Sequence, residues 1–152
     1  MATAKDSAAV ESTKSAFQEQ MVQLVRSLAL HKPDETPCGQ AVSIGEAHAL
    51  LEIAREPGIT QNGLAARLRL EKSTVSRIAA MLERRGWLRR LRDEHDARFI
   101  RLQLTRRGIN ANTNIAVSRR AKFDRIFGAL PADRRAAVVE ALSLLLEVTR
   151  EN

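Results

Sequence analysis

Apolar positions keep a helical spacing through most of the chain and switch to strict alternation in one stretch. Between residues 12 and 31, Phe17, Met21, Leu24, Val25 and Leu28 recur three and four apart, which predicts an amphipathic helix able to pack on a partner. The small, polar residues 1–10 carry no such stripe and are expected to be flexible. "HKPDETPCGQ" (31–40), with two prolines and a glycine, predicts a loop. Ser43 then opens a helix marked by Ala47, Leu50, Leu51 and Ala54 and stopped at Pro57-Gly58. Thr60 suits the N-cap of a short helix, "QNGLAARL", although Gly63 stands where a capping box has Glu or Gln.

The next helix, opened by "EKSTVSRIAAML" (71–82), has two unlike sides. Val75, Ile78, Ala79 and Leu82 fall within an arc of about 100°, a core-facing stripe. Ser73, Ser76, Arg77, Ala80 and Arg84 lie opposite, Thr74 flanks them, and Gly86 is placed to end the helix as its C′ residue. Beyond Gly86 the period becomes two. Leu88, Arg90 and Arg92 alternate with Trp87, Arg89 and Leu91; Ile100, Leu102 and Leu104 alternate with Phe99, Arg101 and Gln103. Joined by the polar "DEHDA", the two runs predict an antiparallel hairpin. Thr105 can cap a helix reaching about Phe127, with Ile109, Ala116, Phe123 and Phe127 towards a core. Leu130-Pro131 starts a last helix with Val138, Leu142, Leu145 and Leu146 on its apolar side.

The expected fold is therefore mainly α with a small β-hairpin: a winged helix-turn-helix flanked by helical segments. Its divisions are a flexible N-terminus (1–10), an N-terminal helix and loop (11–42), the winged unit (43–104) and C-terminal helices (105–152). Both terminal segments have apolar faces that fit dimerisation.

Charge sharpens this picture. The net charge of the 152 residues is +7, but residues 67–107 alone hold 13 Lys or Arg against five Asp or Glu. Excess positive charge confined to one segment is the footprint of a polyanion site. All but one of those cations are Arg, the side chain suited to bidentate contact with phosphate and guanine. In a winged helix-turn-helix the second helix enters the major groove of DNA and its first residues meet base edges. Ser73, Thr74 and Ser76 are short enough to allow that approach, and Arg77, with Arg84 further along, can reach a base edge or a phosphate.

These residues carry a resemblance. "STVSRIAAMLERRGWLRR" followed by "DEHDARFIRLQLTRRG" resembles the MarR family of bacterial transcription regulators. The family's Asp-x-Arg wing step, apolar strand and Leu-Thr-x-x-Gly are met by Asp96, Arg98, Leu104, Thr105 and Gly108, and its Gly-apolar-apolar-x-Arg step by Gly86, Trp87, Leu88 and Arg90. The resemblance implies an α1-α2-α3-α4-β-β-α5-α6 protomer, dimeric through α1, α5 and α6 and bound to a pseudo-palindromic operator in double-stranded DNA. It implies that Arg98 enters the minor groove and that Asp96 helps orient the wing. It also implies a repressor that a small anionic or aromatic effector releases, with His48 near the effector pocket, where packing is the expected role and ligand contact the alternative.

The same module could serve protein–protein contact or sequence-indifferent DNA packing, although concentrated arginines favour DNA. Arg84, Arg85, Arg89 and Arg90 could form a solvated rim, and Arg90 could instead be an internal ion-pair partner. The polar run "NANTN" (110–114) either lines a cavity or faces solvent. Cys38, the single cysteine, excludes an intrachain disulfide framework, and thiol sensing from the first helix is not expected. His31, His48 and His95 with Cys38 match no zinc spacing, so neither a metal nor a cofactor is expected. No nucleophile–base pattern or phosphate loop suggests an enzyme. With no signal-peptide pattern and no apolar run near 20 residues, a cytoplasmic protein without membrane contact is expected.

Overall fold

The computed structural model describes residues 4–94, 96 and 98–151, apart from the side chains of 4–6 and 151; His95 and Ala97, in the expected hairpin connection, lie outside it. The element order is α1 (Ala4–Ser27), α2 (Ile44–Arg55), α3 (Gln61–Leu68), α4 (Lys72–Arg84), β1 (Leu88–Arg92), β2 (Ile100–Leu104), α5 (Arg106–Ala129) and α6 (Arg135–Glu151).

Helix α1 begins well before the predicted start, so residues 4–10, expected to be flexible, are helical. Ala4, Lys5, Ala8, Ala9 and Glu11 are good helix formers, and propensity extends a helix where no apolar stripe is needed. Its end falls at Ser27 rather than 31, because Ala29 takes a left-handed φ of +57° and the Leu30 amide donates back to the Val25 carbonyl at 3.1 Å. Every described side chain from Ser7 to Ser27 is exposed.

Helix α2 starts with a complete capping box. Ser43 Oγ accepts from the Glu46 amide at 3.1 Å, and Glu46 Oε2 accepts from the Ser43 amide at 2.9 Å. Its buried side differs from prediction: Ala49 and Ile53 join Ala47 and Leu50, while Leu51 is half-buried and Ala54 is exposed. The helix packs against α3, α4, β2 and α5, and that surround turns its Ile53 side inward.

The pair α3–α4 is joined by Arg69, whose φ is +52°. Thr60 Oγ1 caps α3 by accepting from the Gly63 amide at 3.0 Å. Val75, Ile78, Ala79 and Leu82 are all buried, as their spacing predicts. Gly86 ends α4 at φ +71°, with the Trp87 amide donating to the Leu82 carbonyl at 2.9 Å.

The hairpin pairs Leu88 with Leu104 and Arg92 with Ile100. A third edge was not visible in the pattern: the Gly58 amide donates to the Leu102 carbonyl at 3.0 Å, the Leu102 amide donates to Ile59 at 2.9 Å, and Thr60 bridges Arg101. Thr105 Oγ1 then accepts from the Gly108 amide at 3.1 Å and donates to the Gly86 carbonyl at 2.7 Å. Gly108 lies so close that a Cβ there would stand 2.0 Å from the Trp87 carbonyl oxygen.

One core, with Leu50, Ile53, Leu64, Val75, Leu82, Leu88 and Leu102 at its centre, fills the space within this unit. From α5 it takes the apolar side chain of Ile115; the predicted Ile109, Phe123 and Phe127 are exposed and Ala116 is half-buried. The reason is length: the part of α5 packed on α2 and β2 is short, and the rest carries its apolar side clear of the unit. In α6, Leu142 and Leu146 are likewise exposed and Val138 and Leu145 only half-buried. Among the described residues no helix is long and apolar enough to cross a membrane.

Candidate nucleic-acid interface

Helix α4 presents Ser73, Arg77 and Arg84 to solvent, with Thr74 and Ser76 half-buried beside them. Its N-cap is Glu71, which makes no side-chain capping bond, so the hydroxyls of Ser73 and Thr74 lie within the first turn and are not spent on closing it. Arg77 Nη2 reaches Thr74 Oγ1 at 3.4 Å, a long contact that leaves most of the guanidinium's donors to solvent.

The arginines after this helix divide into two kinds. Arg85 is structural: its Nε donates to Glu46 Oε1 at 3.0 Å, and its guanidinium lies 5.1 Å from the Trp87 ring centre. Glu46 is 1% exposed, so one buried carboxylate caps α2 and also ties it to the end of α4. Arg90 is structural as well, donating through Nη2 to the Ser76 carbonyl at 2.8 Å and lying 3.5 Å from Glu83. Arg84 and Arg89 are exposed and have no ion-pair partner among the described residues.

In the wing, Arg98 is held by one carboxylate. Asp96 Oδ1 accepts from the Arg98 amide and Nε, each at 3.0 Å, and Oδ2 accepts from Nη2 at 2.7 Å. The Arg98 side chain is nevertheless 87% exposed, so it is aimed without being covered. Its guanidinium, with help from its backbone N–H, holds the Asp96 carboxyl below the usual carboxylate range, against the opposing charge of Asp93; the pairing raises Arg98 in turn.

Two residues outside the expected set build the base of the wing. Asp93 is nearly buried, its Oδ2 bonded to Arg101 Nε and its Oδ1 accepting from the Asp96 amide at 3.0 Å. Arg101 Nη1 also donates to the Gly58 carbonyl at 3.0 Å. Alternation placed Arg101 on the exposed side of the hairpin but gave no hint of its partners.

A partly open cavity of about 160 Å³ lies between the 30–38 loop, α2 and α5, lined among others by Ile44, His48, Ile115, Arg119 and Phe123. Cys38 is on its wall, with Sγ 3.0 Å from Thr36 Oγ1, and Lys122 Nζ donates to the Pro37 carbonyl. Asn110 and Asn114 of the polar run line a second, open cleft with Gln40, Trp87 and Arg107. Thr113 of the same run bonds back to the Ile109 carbonyl at 3.0 Å.

Residues 42–98 match the model of the MarR family. No curated protein matches the chain by sequence. Among solved structures, the PcaV transcriptional regulator from Streptomyces coelicolor is similar at 22% identity, over 91% of this chain and 98% of that one, with a TM-score of 0.72. PcaV is also solved in complex with its natural ligand. FabT from Streptococcus pneumoniae, solved in complex with DNA, is similar at 23% identity over 95% of this chain and 97% of its own, TM-score 0.67. MarR itself is similar at 26% identity over 89% and 86%, TM-score 0.62. The matched segment spans the helix-turn-helix and most of the wing, and the shared architecture extends over the flanking helices, so the chain has the winged helix-turn-helix fold of these regulators and resembles the MarR family over residues 42–98.

Proposed function

We propose that this chain is a homodimeric, sequence-specific DNA-binding regulator, a repressor that a small molecule releases. The observation that carries the DNA reading is the division of α4: one side buried, the other small, hydroxylic and cationic, beside a wing whose arginine is aimed outward. In this reading Ser73, Thr74, Ser76 and Arg77 meet base edges or adjacent phosphates in the major groove, Arg84 meets phosphate, and Arg98, oriented by Asp96, enters the minor groove. FabT's structure with DNA supports the use of this fold on duplex. Binding selection on random duplex, followed by footprinting, tests it. A recovered pseudo-palindrome bound with an affinity that falls steeply with salt is the expected result. Equal binding to random duplex, or no binding, would leave a packing or protein-contact module instead.

The cavity between α2 and α5 is the effector site in this reading, with His48 on its wall. Apolar Ile44, Ile115 and Phe123 suit a ring, and Arg119 with His48 suits an anionic substituent. PcaV, with its natural ligand bound, supports a ligand-responsive regulator. Screening single-ring acids for release of the selected duplex, against His48→Ala and Arg119→Ala variants, tests it. Release unchanged in both variants would place the effector elsewhere.

A further inference from the structure

We infer that Arg101 is the positioning residue of the wing, holding Arg98 at a fixed place relative to the helix-turn-helix; the inference rests on the DNA reading above. Four bonds run in series. Arg101 donates to the Gly58 carbonyl, in the turn that leads into α3, and to the Asp93 carboxylate at the end of β1. Asp93 accepts from the Asp96 amide, and Asp96 accepts from the Arg98 amide and guanidinium. The side chain at the exposed tip is thereby referred back to the backbone that carries the recognition unit. A hairpin of two five-residue strands offers little rigidity of its own, and its outermost pair is Arg92 with Ile100. Past that pair, the Asp93 amide donates to the Phe99 carbonyl at 3.0 Å, so the loop closes on the residue that Arg101 holds.

Asp93 is 8% exposed, and a carboxylate that covered needs a partner to remain charged. Arg101 supplies it with one edge of its guanidinium and uses another edge for the Gly58 carbonyl. A lysine, with one ammonium on a flexible stem, cannot span both in the same geometry. Arg101 is itself 48% exposed, so direct phosphate contact is the rival explanation that the test must separate.

The test uses the full-length chain and the duplex it selects. Arg98→Ala is expected to weaken binding about fivefold, in line with one lost groove contact. Arg101→Met, acting only through Arg98, is expected to weaken binding by no more than that factor, and to add nothing in the Arg98→Ala background. Arg101→Lys is expected to behave like Arg101→Met although it keeps the charge. Should Arg101→Met fail to fold, Asp93→Asn interrupts the same series and is expected to show the same non-additivity. Losses that add, with a salt slope flatter by about one for Arg101→Met alone, would make Arg101 a phosphate contact and overturn the inference. So would unchanged affinity in Arg101→Met where Arg98→Ala is impaired. Hydrogen exchange at the Asp96 and Arg98 amides is read without DNA, and should quicken at least about tenfold in Arg101→Met. Unchanged exchange overturns the inference even if the wild type selects no site, an outcome that would separately end the DNA reading.

Discussion

Single residues set both the geometry of the interface and its tolerance to change. Gly108 has no room for a side chain, since any Cβ would be driven into the Trp87 carbonyl. Gly108→Ala is expected to destabilise the fold by about 3 kcal/mol, because backbone on both sides must shift; thermal unfolding will show it, and an unchanged midpoint would contradict the close packing of α5 on the wing. Arg77→Ala separates two kinds of contact. If Arg77 reads a base, the variant loses preference at one symmetric pair of positions at about 1–3 kcal/mol per contact. If it meets only phosphate, affinity falls evenly across sequences; unaltered affinity and preference would remove Arg77 from the interface. Asp96 predicts a pH response. Its carboxyl is held below the usual 3.8 by Arg98, so the pairing is intact above that value and is lost only as pH falls through the lower folded one. A carboxyl-carbon titration by NMR should place the Asp96 midpoint below 3.8 and return it towards 3.8 in Arg98→Ala.

At the scale of elements, Thr105 holds a junction that no regular structure covers. Its hydroxyl caps α5 and also bonds the carbonyl of Gly86, so it binds the end of α4 to the start of α5. Thr105→Ala is expected to cost about 1–2 kcal/mol, the upper part of the range for a lost cap, read from denaturant midpoints. How far elements were legible follows from where their partners lie. The stripe of α4 was readable because its burial is against elements close by in sequence, and Gly86 because an αL position after an apolar stripe is a local signal. The inward turn of α2 was not readable, since four separate elements surround that helix. The Gly58–Thr60 edge escaped because so few extended residues carry no period. Arg101 was legible as a charge, but its task depends on Gly58, 43 positions away.

For the whole molecule, the exposed apolar sides of α1, α5 and α6 are the main unfinished surface. Phe17, Leu24, Phe123, Leu142 and Leu146 are each about half exposed. The proposed two-fold dimer covers them, and light scattering at micromolar concentration should give twice the 16.9 kDa of the chain. A monomer would count decisively against it. With two copies of α4 related by that axis, half-site centres should lie about 10 base pairs apart, roughly 34–36 Å.

The exposure of α1 from Ser7 to Ser27 has a further consequence for how the proposed dimer would respond to its own abundance. In the proposed dimer, a helix whose side chains from Ser7 to Ser27 are exposed in its own chain would take much of its stability from the other copy, so folding of the ends and pairing of chains would become one equilibrium. In that reading, chains below the pairing constant would carry frayed ends open to proteolysis, and above it those ends would be sheltered. Occupancy of a two-fold site would then rise more steeply than linearly with synthesis, giving a threshold in dose without any ligand.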